Sequence, residues 1–207
     1  MEFIRKILCW NVSDYFRPST ERGRNYLFLR HELGVTDIVI SAILLQKQTE
    51  HYSLARFIHE RAMKQSPYKG SWQGKPFTLI PDAFLELRQR LPDGTCRYMA
   101  LLLEHDCGTE QRQYFKQRIR EYVIMLKSRA YKERFNVNTI TMLFTTFEGD
   151  QMREWTRQEL EGESKDLQQC FLFTDQCQPP DPKHIWLHSC WYMPHMEGKP
   201  VVILGDE

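Results

Sequence analysis

Two neighbouring segments of the chain carry the hydrophobic pattern of paired β-strands. Phe77–Leu87 alternates between apolar and polar residues, and Tyr98–Asp106 is apolar almost to its end, as expected of a central strand covered on both faces. Between them, Leu91–Thr95 places Pro92 and Gly94 where a tight turn needs them. These segments therefore predict a β-hairpin.

A helical period follows the hairpin. Phe115, Ile119, Tyr122 and Leu126 recur on one helical face, and Thr109 is the expected N-cap. The remaining pattern predicts a helix over Asn25–Gln48, a strand from Tyr52 that turns polar by Ala62, a loop over Lys64–Pro76, a strand over Val137–Phe147, a helix over Gln151–Leu160 and a strand over Cys170–Thr174. The predicted order is α-β-β-β-α-β-α-β, an α/β fold with a mixed sheet flanked by helices.

Length and overall charge narrow the class of protein. The chain has 207 residues, enough for one domain with a sizeable core, and a formal charge of +1, which argues against a histone-like DNA binder. No apolar run approaches the roughly 20 residues that cross a bilayer, so we expect a cytoplasmic protein without membrane contact.

The charge is unevenly distributed. Gln111–Phe135 is strongly basic, whereas Glu148–Asp181 is acidic. At about 100° per residue, Arg112, Lys116, Arg120 and Lys127 fall within an arc of roughly 80° beside the apolar stripe. We call these four residues the basic ridge and predict that it contacts an anion.

Two acids of the predicted hairpin form a candidate metal site. If Leu91 faces Thr95, Asp82 and Glu104 lie opposite each other, with Cβ atoms roughly 4.5–5.5 Å apart. Like charges so placed repel unless something positive lies between them, and Mg²⁺ or Mn²⁺ is the natural candidate. Asp106 is a further candidate ligand or merely ends its strand. Acids at strand ends also commonly face only solvent, so the alternative that these acids bind no metal stays open.

The ordered segments resemble the replication-relaxation family. The landmarks are HELGVTDIVISAIL, PDAFLEL, LLLEHDCGTEQ, RIREY, TITMLFTTF and HIWL, which together cover about Arg30–Leu187. The family is associated with plasmid replication and the relaxation of plasmid DNA, and a winged-helix module usually precedes the segment matched here. The resemblance implies an irregular segment at 1–24, where a remnant of that module would lie, and a nuclease-like α/β domain at 25–207.

The acids are also similar to the PD-(D/E)XK pattern of restriction-endonuclease-like proteins, in which two acids bind Mg²⁺ for DNA cleavage. Pro81-Asp82 and Glu104 fit this pattern, but Asp106 stands where a lysine is expected. The resemblance implies a restriction-endonuclease-like sheet, with Asp82, Glu104 and Asp106 as metal ligands. Asp82, Glu104 and Lys116 would be catalytic, Lys116 or Lys127 supplying the missing charge.

Three functions are compatible with these features. The first is a DNA-binding accessory protein of a plasmid or other mobile element that acts in DNA replication or relaxation through the basic ridge. The second is an active Mg²⁺-dependent nuclease or nickase. The third is a non-catalytic module that docks on a replication or transposition protein through the acidic C-terminal third.

Overall fold

The computed structural model describes residues 26–108, 110–175, 181–196 and 198–205. In chain order the elements are α1 (Tyr26–Gln48), β1 (Tyr52–His59), α2 (Glu60–Gln65), β2 (Tyr68–Trp72), β3 (Lys75–Leu79), β4 (Ala83–Arg90), β5 (Cys96–Asp106), α3 (Arg112–Ser128), α4 (Tyr131–Phe135), β6 (Thr141–Thr146), α5 (Gly149–Glu159), α6 (Lys165–Gln168), β7 (Phe171–Thr174), α7 (Pro182–Leu187), β8 (Trp191–Tyr192) and β9 (Pro200–Val201). The segment 1–24 and the proposed cap Thr109 lie outside the described residues. No helix in the described ranges is both long and apolar enough to cross a membrane.

A seven-stranded sheet forms the centre of the fold, in the order β1-β4-β5-β6-β7-β8-β9. β1, β4 and β5 are antiparallel neighbours, β5, β6 and β7 are parallel, and β8 and β9 add antiparallel pairs at one edge. This arrangement confirms the mixed α/β sheet flanked by helices. The element order is longer than the predicted one, and a restriction-endonuclease-like architecture stays a prediction.

The apolar run of β5 is explained by helices on both faces of the sheet. On one face, Leu102 packs in a cluster with Phe115 and Ile119 of α3. On the other face, Leu101 packs with Ile38 of α1. Because successive side chains of a strand point to opposite faces, a strand covered twice needs apolar residues at every position.

The β4–β5 hairpin has the predicted register. Ala83 pairs with Leu103 and Arg90 with Cys96, while Leu91 N donates to Thr95 O at 2.9 Å across the turn. Gly94 has φ +83°, a conformation that favours glycine. The pairing extends one bond beyond the strand, because Asp82 N donates to Leu103 O at 3.0 Å. Asp82 therefore lies immediately before β4.

The loop predicted over Lys64–Pro76 is wrong, because most of it belongs to α2 and to a two-stranded sheet of β2 and β3. Gln73 and Gly74, with φ of 49° and 77°, form the two-residue turn between these strands. The strand predicted over Phe77–Leu87 is likewise two strands in separate sheets, since the chain leaves β3 at Leu79 and enters β4 at Ala83. The turn residues of a short hairpin resemble loop composition, which caused the first error. The second arose because the alternation continues across Ile80 and Asp82, which join the two strands.

Helix α3 buries Phe115, Ile119 and Tyr122 as predicted, whereas Leu126 is only partly buried. The helix begins at Arg112, and its N-cap residue Gln111 makes no side-chain cap hydrogen bond.

Candidate functional site

A cavity of about 390 Å³ opens where β4 begins and β5 ends. It is lined by His31, Glu60, Ile80, Asp82, Glu104, His105, Asp106, Cys107, Glu110 and Arg118. The structure thus brings together Asp82, Glu104 and Asp106, the three acids singled out in the sequence. We call this site the acidic cavity.

Glu104 is held in the wall of the cavity by two residues of α3. It is 5% exposed, and it accepts hydrogen bonds from Arg118 Nη1 at 2.8 Å and from the Tyr122 hydroxyl. Burial raises the pKa of Glu104, and the positive charge of Arg118 opposes that shift. Arg118 also reaches Glu110, with Nη2 2.9 Å from Oε1. One guanidinium therefore bridges two carboxylates of the cavity.

Asp82 is bonded on the side of α1 and β5. Its Oδ2 accepts the backbone N–H of His105 at 2.7 Å and lies 3.1 Å from His31 Nε2. Burial lowers the pKa of His31, but the hydrogen bond and the charge of Asp82 outweigh it, so the net shift is upward. His31 thus places a protonatable group beside Asp82, and Arg118 places a positive charge beside Glu104.

His105 is a packed neutral histidine on the wall of the cavity. Its Nδ1 lies 2.8 Å from Thr145 Oγ1, and burial lowers its pKa to about 4. The ring lies against Gly34 of α1, where an added Cβ would be 2.1 Å from His105 Nε2. The absence of a side chain at Gly34 allows the helix to approach β5 this closely.

Asp106 has a local structural role besides lining the cavity. Its Oδ2 accepts Gly108 N at 2.8 Å and its Oδ1 accepts Glu110 N at 3.2 Å. The Thr146 hydroxyl is 3.4 Å from Oδ2. Both oxygens therefore shape the connection from β5 towards α3, where carboxylate side chains commonly satisfy backbone donors.

The oxygen-rich lining has the chemistry that Mg²⁺ or Mn²⁺ prefers, because these ions bind carboxylates. Within the described ranges, however, no group of three or more His, Cys, Asp or Glu side chains is arranged to hold a metal by itself. Both oxygens of Glu104 and Oδ2 of Asp82 already have protein partners. A metal would have to share or displace those partners.

The basic ridge faces α5 and the turn after it, and the structure does not bring Lys116 into the lining of the acidic cavity. Lys116 Nζ lies 3.0 Å from Glu159 Oε1, Arg120 Nε 2.6 Å from Glu159 Oε2, and Lys127 Nζ 2.6 Å from Glu163 Oε1. Arg112 donates to Gln158 at 3.0 Å. The cation that contacts Glu104 is therefore Arg118 rather than Lys116, and acids of the C-terminal third pair with the ridge.

The ridge also borders open surface. A depression of about 570 Å³ is lined by Gln111, Arg112, Gln113, Lys116 and Arg120. Three of these residues are basic, and none of them is acidic. This part of α3 can receive an anion even though Lys116 and Arg120 have protein partners.

Comparison with known proteins identifies the family. A model described as replication-relaxation matches residues 13–141, more than half of the chain. The chain belongs to the replication-relaxation family. No curated protein and no solved structure matches significantly. The matched span contains Asp82, Glu104 and the whole basic ridge, so both candidate sites lie in the family region of this replication-relaxation protein.

Sequence reasoning missed His31, Glu110 and Arg118 as cavity residues, and it treated Tyr122 only as part of an apolar stripe. Two signals were present. Arg118 and Tyr122 are four residues apart, a spacing that places both on one face of a helix. Gly34 interrupts an otherwise good helix, which marks a close approach by another element.

Proposed function

We propose that this replication-relaxation protein is a DNA-binding accessory factor that acts in the replication or relaxation of plasmid or other mobile-element DNA. The family's association with plasmid replication and relaxation supports this role. The observation that carries it is the depression lined by Arg112, Lys116 and Arg120, whose lining residues include no acid. Cations on one helix face suit the regular negative charge of a DNA backbone.

The ion pairs of the ridge are compatible with this function. Arg120 and Lys127 have side chains 56% and 39% exposed, so their pairs with Glu159 and Glu163 are partly open to solvent and are expected to be weak, about 0–1 kcal/mol each. A phosphate can therefore replace Glu159 or Glu163 as the partner of these cations. The side chain of Lys116 is only 17% exposed, so Glu159 holds it more firmly. The same acids hold the cations in a row on α3, but they also compete with DNA.

Charge reversal on the ridge tests the proposal. The variant Lys116→Glu/Arg120→Glu/Lys127→Glu is expected to bind duplex DNA much more weakly than the wild type. Its log-log salt dependence should flatten by about three units, because each phosphate contact contributes about 0.9 to the slope. Fluorescence anisotropy over a range of salt concentrations measures both quantities. Equal binding by the two proteins would contradict the proposal.

A variant that is expected to bind duplex DNA more tightly serves as the matched control. Glu159→Gln/Glu163→Gln removes the competing acids but keeps all ridge cations, so duplex binding is expected to tighten. Both variants break the same ion pairs between α3 and the acids of α5 and the turn after it. Opposite effects on binding therefore separate phosphate recognition from a general disturbance of the fold, which circular dichroism monitors in parallel.

A second candidate function is metal-dependent DNA cleavage, and the acidic cavity supports it. Asp82 and Glu104 project into one cavity, and they are the residues that would hold Mg²⁺ or Mn²⁺. The bound ion would polarise the phosphate and activate water. Arg118 would offset the negative charge that develops on the phosphate. It cannot act as a base, because the neighbouring Glu104 raises its already high pKa further.

A further inference from the structure

A groove of about 480 Å³ lies between the tip of the β2–β3 hairpin and α3. Trp72 and Lys75 line it from the hairpin, and Arg120, Val123, Ile124 and Lys127 line it from the helix. We propose that this groove binds an unpaired nucleotide, with its base stacked on Trp72 and its phosphate held by Lys75 and Arg120. The inference deepens the proposed function, on which it rests: the preferred partner is single-stranded or locally melted DNA.

The packing of the hairpin against the core places Trp72 in the wall of the groove. Tyr68 and Phe77 anchor the base of the hairpin in the core that contains α3. Phe77 covers Gly70, where an added Cβ would lie 2.6 Å from the ring. Since side chains alternate along a strand, Trp72 points to the same face as Tyr68, but it lies beyond the packed core and next to the turn.

Trp72 differs from the tryptophans of the core. Its exposed fraction is 39%, whereas Trp186 and Trp191 are 0% exposed. An indole left on the surface beside an apolar floor of Val123 and Ile124 offers a flat face of the kind on which bases stack in single-strand-binding proteins.

The charges around the groove complement a phosphate. Lys75 is exposed and pairs across the turn with Trp72, and it forms no ion pair with the residues that the structure describes. Glu159 and Glu163 also line the groove, but each is paired with a ridge cation. Arg120 lines both this groove and the depression beside Arg112, so the two sites are adjacent. A strand that crosses the groove can therefore continue along the basic ridge.

The combination discriminates between single-stranded and duplex DNA. Bases in a duplex are stacked on one another and cannot offer a face to Trp72, whereas an unpaired base can. An acidic peptide would satisfy the cations but has no need of a flat aromatic wall. The groove therefore fits an unpaired nucleotide better than it fits a purely anionic ligand.

The test compares two DNA probes and four variants, at Trp72, Lys75 and Tyr98. Fluorescence anisotropy is measured with an oligothymidylate of about 20 nucleotides and with a blunt duplex of equal length. Trp72→Ala is expected to weaken binding to the single strand about tenfold and to leave duplex binding unchanged, since stacking on one base is lost. Trp72→Phe should retain most of the affinity. Tyr98→Ala, which removes a 54% exposed aromatic residue of β5 outside the groove, should have no effect.

The outcomes distinguish this inference from the proposed function. If Trp72→Ala leaves single-strand binding unchanged, or weakens both probes equally, the stacking site is overturned while duplex binding through the ridge can stand. If the wild-type protein binds neither probe, the proposed function fails together with the inference. A selective loss in Trp72→Ala, reproduced by Lys75→Glu and spared in Trp72→Phe, supports the site.

Discussion

Replacing Arg118 by alanine is expected to lower the free energy of unfolding by about 3 kcal/mol at pH 8. The change leaves the carboxyl of Glu104 buried, with Tyr122 as its remaining hydrogen-bond partner. Removing one member of a buried ion pair costs about 3–5 kcal/mol, and we expect the lower end because the Arg118 side chain is 38% exposed. Urea denaturation followed by circular dichroism measures the loss.

A second substitution should repair most of that loss. In Arg118→Ala/Glu104→Gln the buried group carries no charge, so the double variant is expected to be more stable than Arg118→Ala alone. The matched control is Arg157→Ala on α5, whose ion pair with Glu154 is exposed, and which should cost less than about 1 kcal/mol. If Arg118→Ala were as stable as the wild type, Arg118 would not compensate a buried charge.

The loss of unfolding free energy in Arg118→Ala should increase with pH. Burial already raises the pKa of Glu104 in the folded protein above its value in the unfolded chain, and loss of Arg118 raises it further. A raised carboxyl pKa destabilises the fold as pH increases from the unfolded value to the folded value. Below the raised folded-state pKa of Glu104 the carboxyl is protonated in both folded proteins, so the charge-dependent part of the deficit is absent there. The deficit is expected to grow as pH rises through that pKa, because only in the wild type does Arg118 stabilise the ionised carboxyl. A deficit that stays constant from pH 5 to 9 would contradict a charge effect.

Local chemistry explains why the β4–β5 hairpin was predictable. The turn residues Pro92 and Gly94 and the alternation of the flanking segments specify its register within about 25 neighbouring residues of the chain. The register in turn predicts that Asp82 and Glu104 meet, and both line one cavity. The buried stripe of α3 follows equally from its own helical period.

Contacts between distant segments explain what the sequence did not predict. His31 reaches Asp82 from a helix 51 residues earlier in the chain, and no local pattern specifies that approach. The pairing of Lys127 with Glu163 joins segments 36 residues apart, so the basic and acidic stretches looked like separate surfaces. The β2–β3 hairpin is local, but its Gly, Pro and Ser content is equally typical of a loop.

Isosteric changes at the acidic cavity decide between the two candidate functions. If the cavity cleaves DNA, Mg²⁺- or Mn²⁺-dependent nicking of supercoiled plasmid is expected to fall about 100-fold or more in both Asp82→Asn and Glu104→Gln. Each change replaces a charged metal ligand with a neutral amide. Both variants should bind duplex DNA as the wild type does, because the basic ridge is intact. Gel electrophoresis of the plasmid measures nicking, and calorimetry measures metal binding separately.

The control for this experiment is Glu86→Gln, a carboxylate of β4 that lies 3.4 Å from Arg56 Nε and does not line the cavity. It should leave nicking unchanged. If the wild type and both cavity variants are equally inert while they bind DNA, catalysis is excluded under these conditions and the accessory function is favoured.

If the wild type binds metal without nicking, Asp106→Lys supplies the lysine that the PD-(D/E)XK pattern has two residues after Glu104. That change also removes the acceptor for Gly108 N and Glu110 N, so its melting temperature must be compared with that of Asp106→Asn before any activity is interpreted.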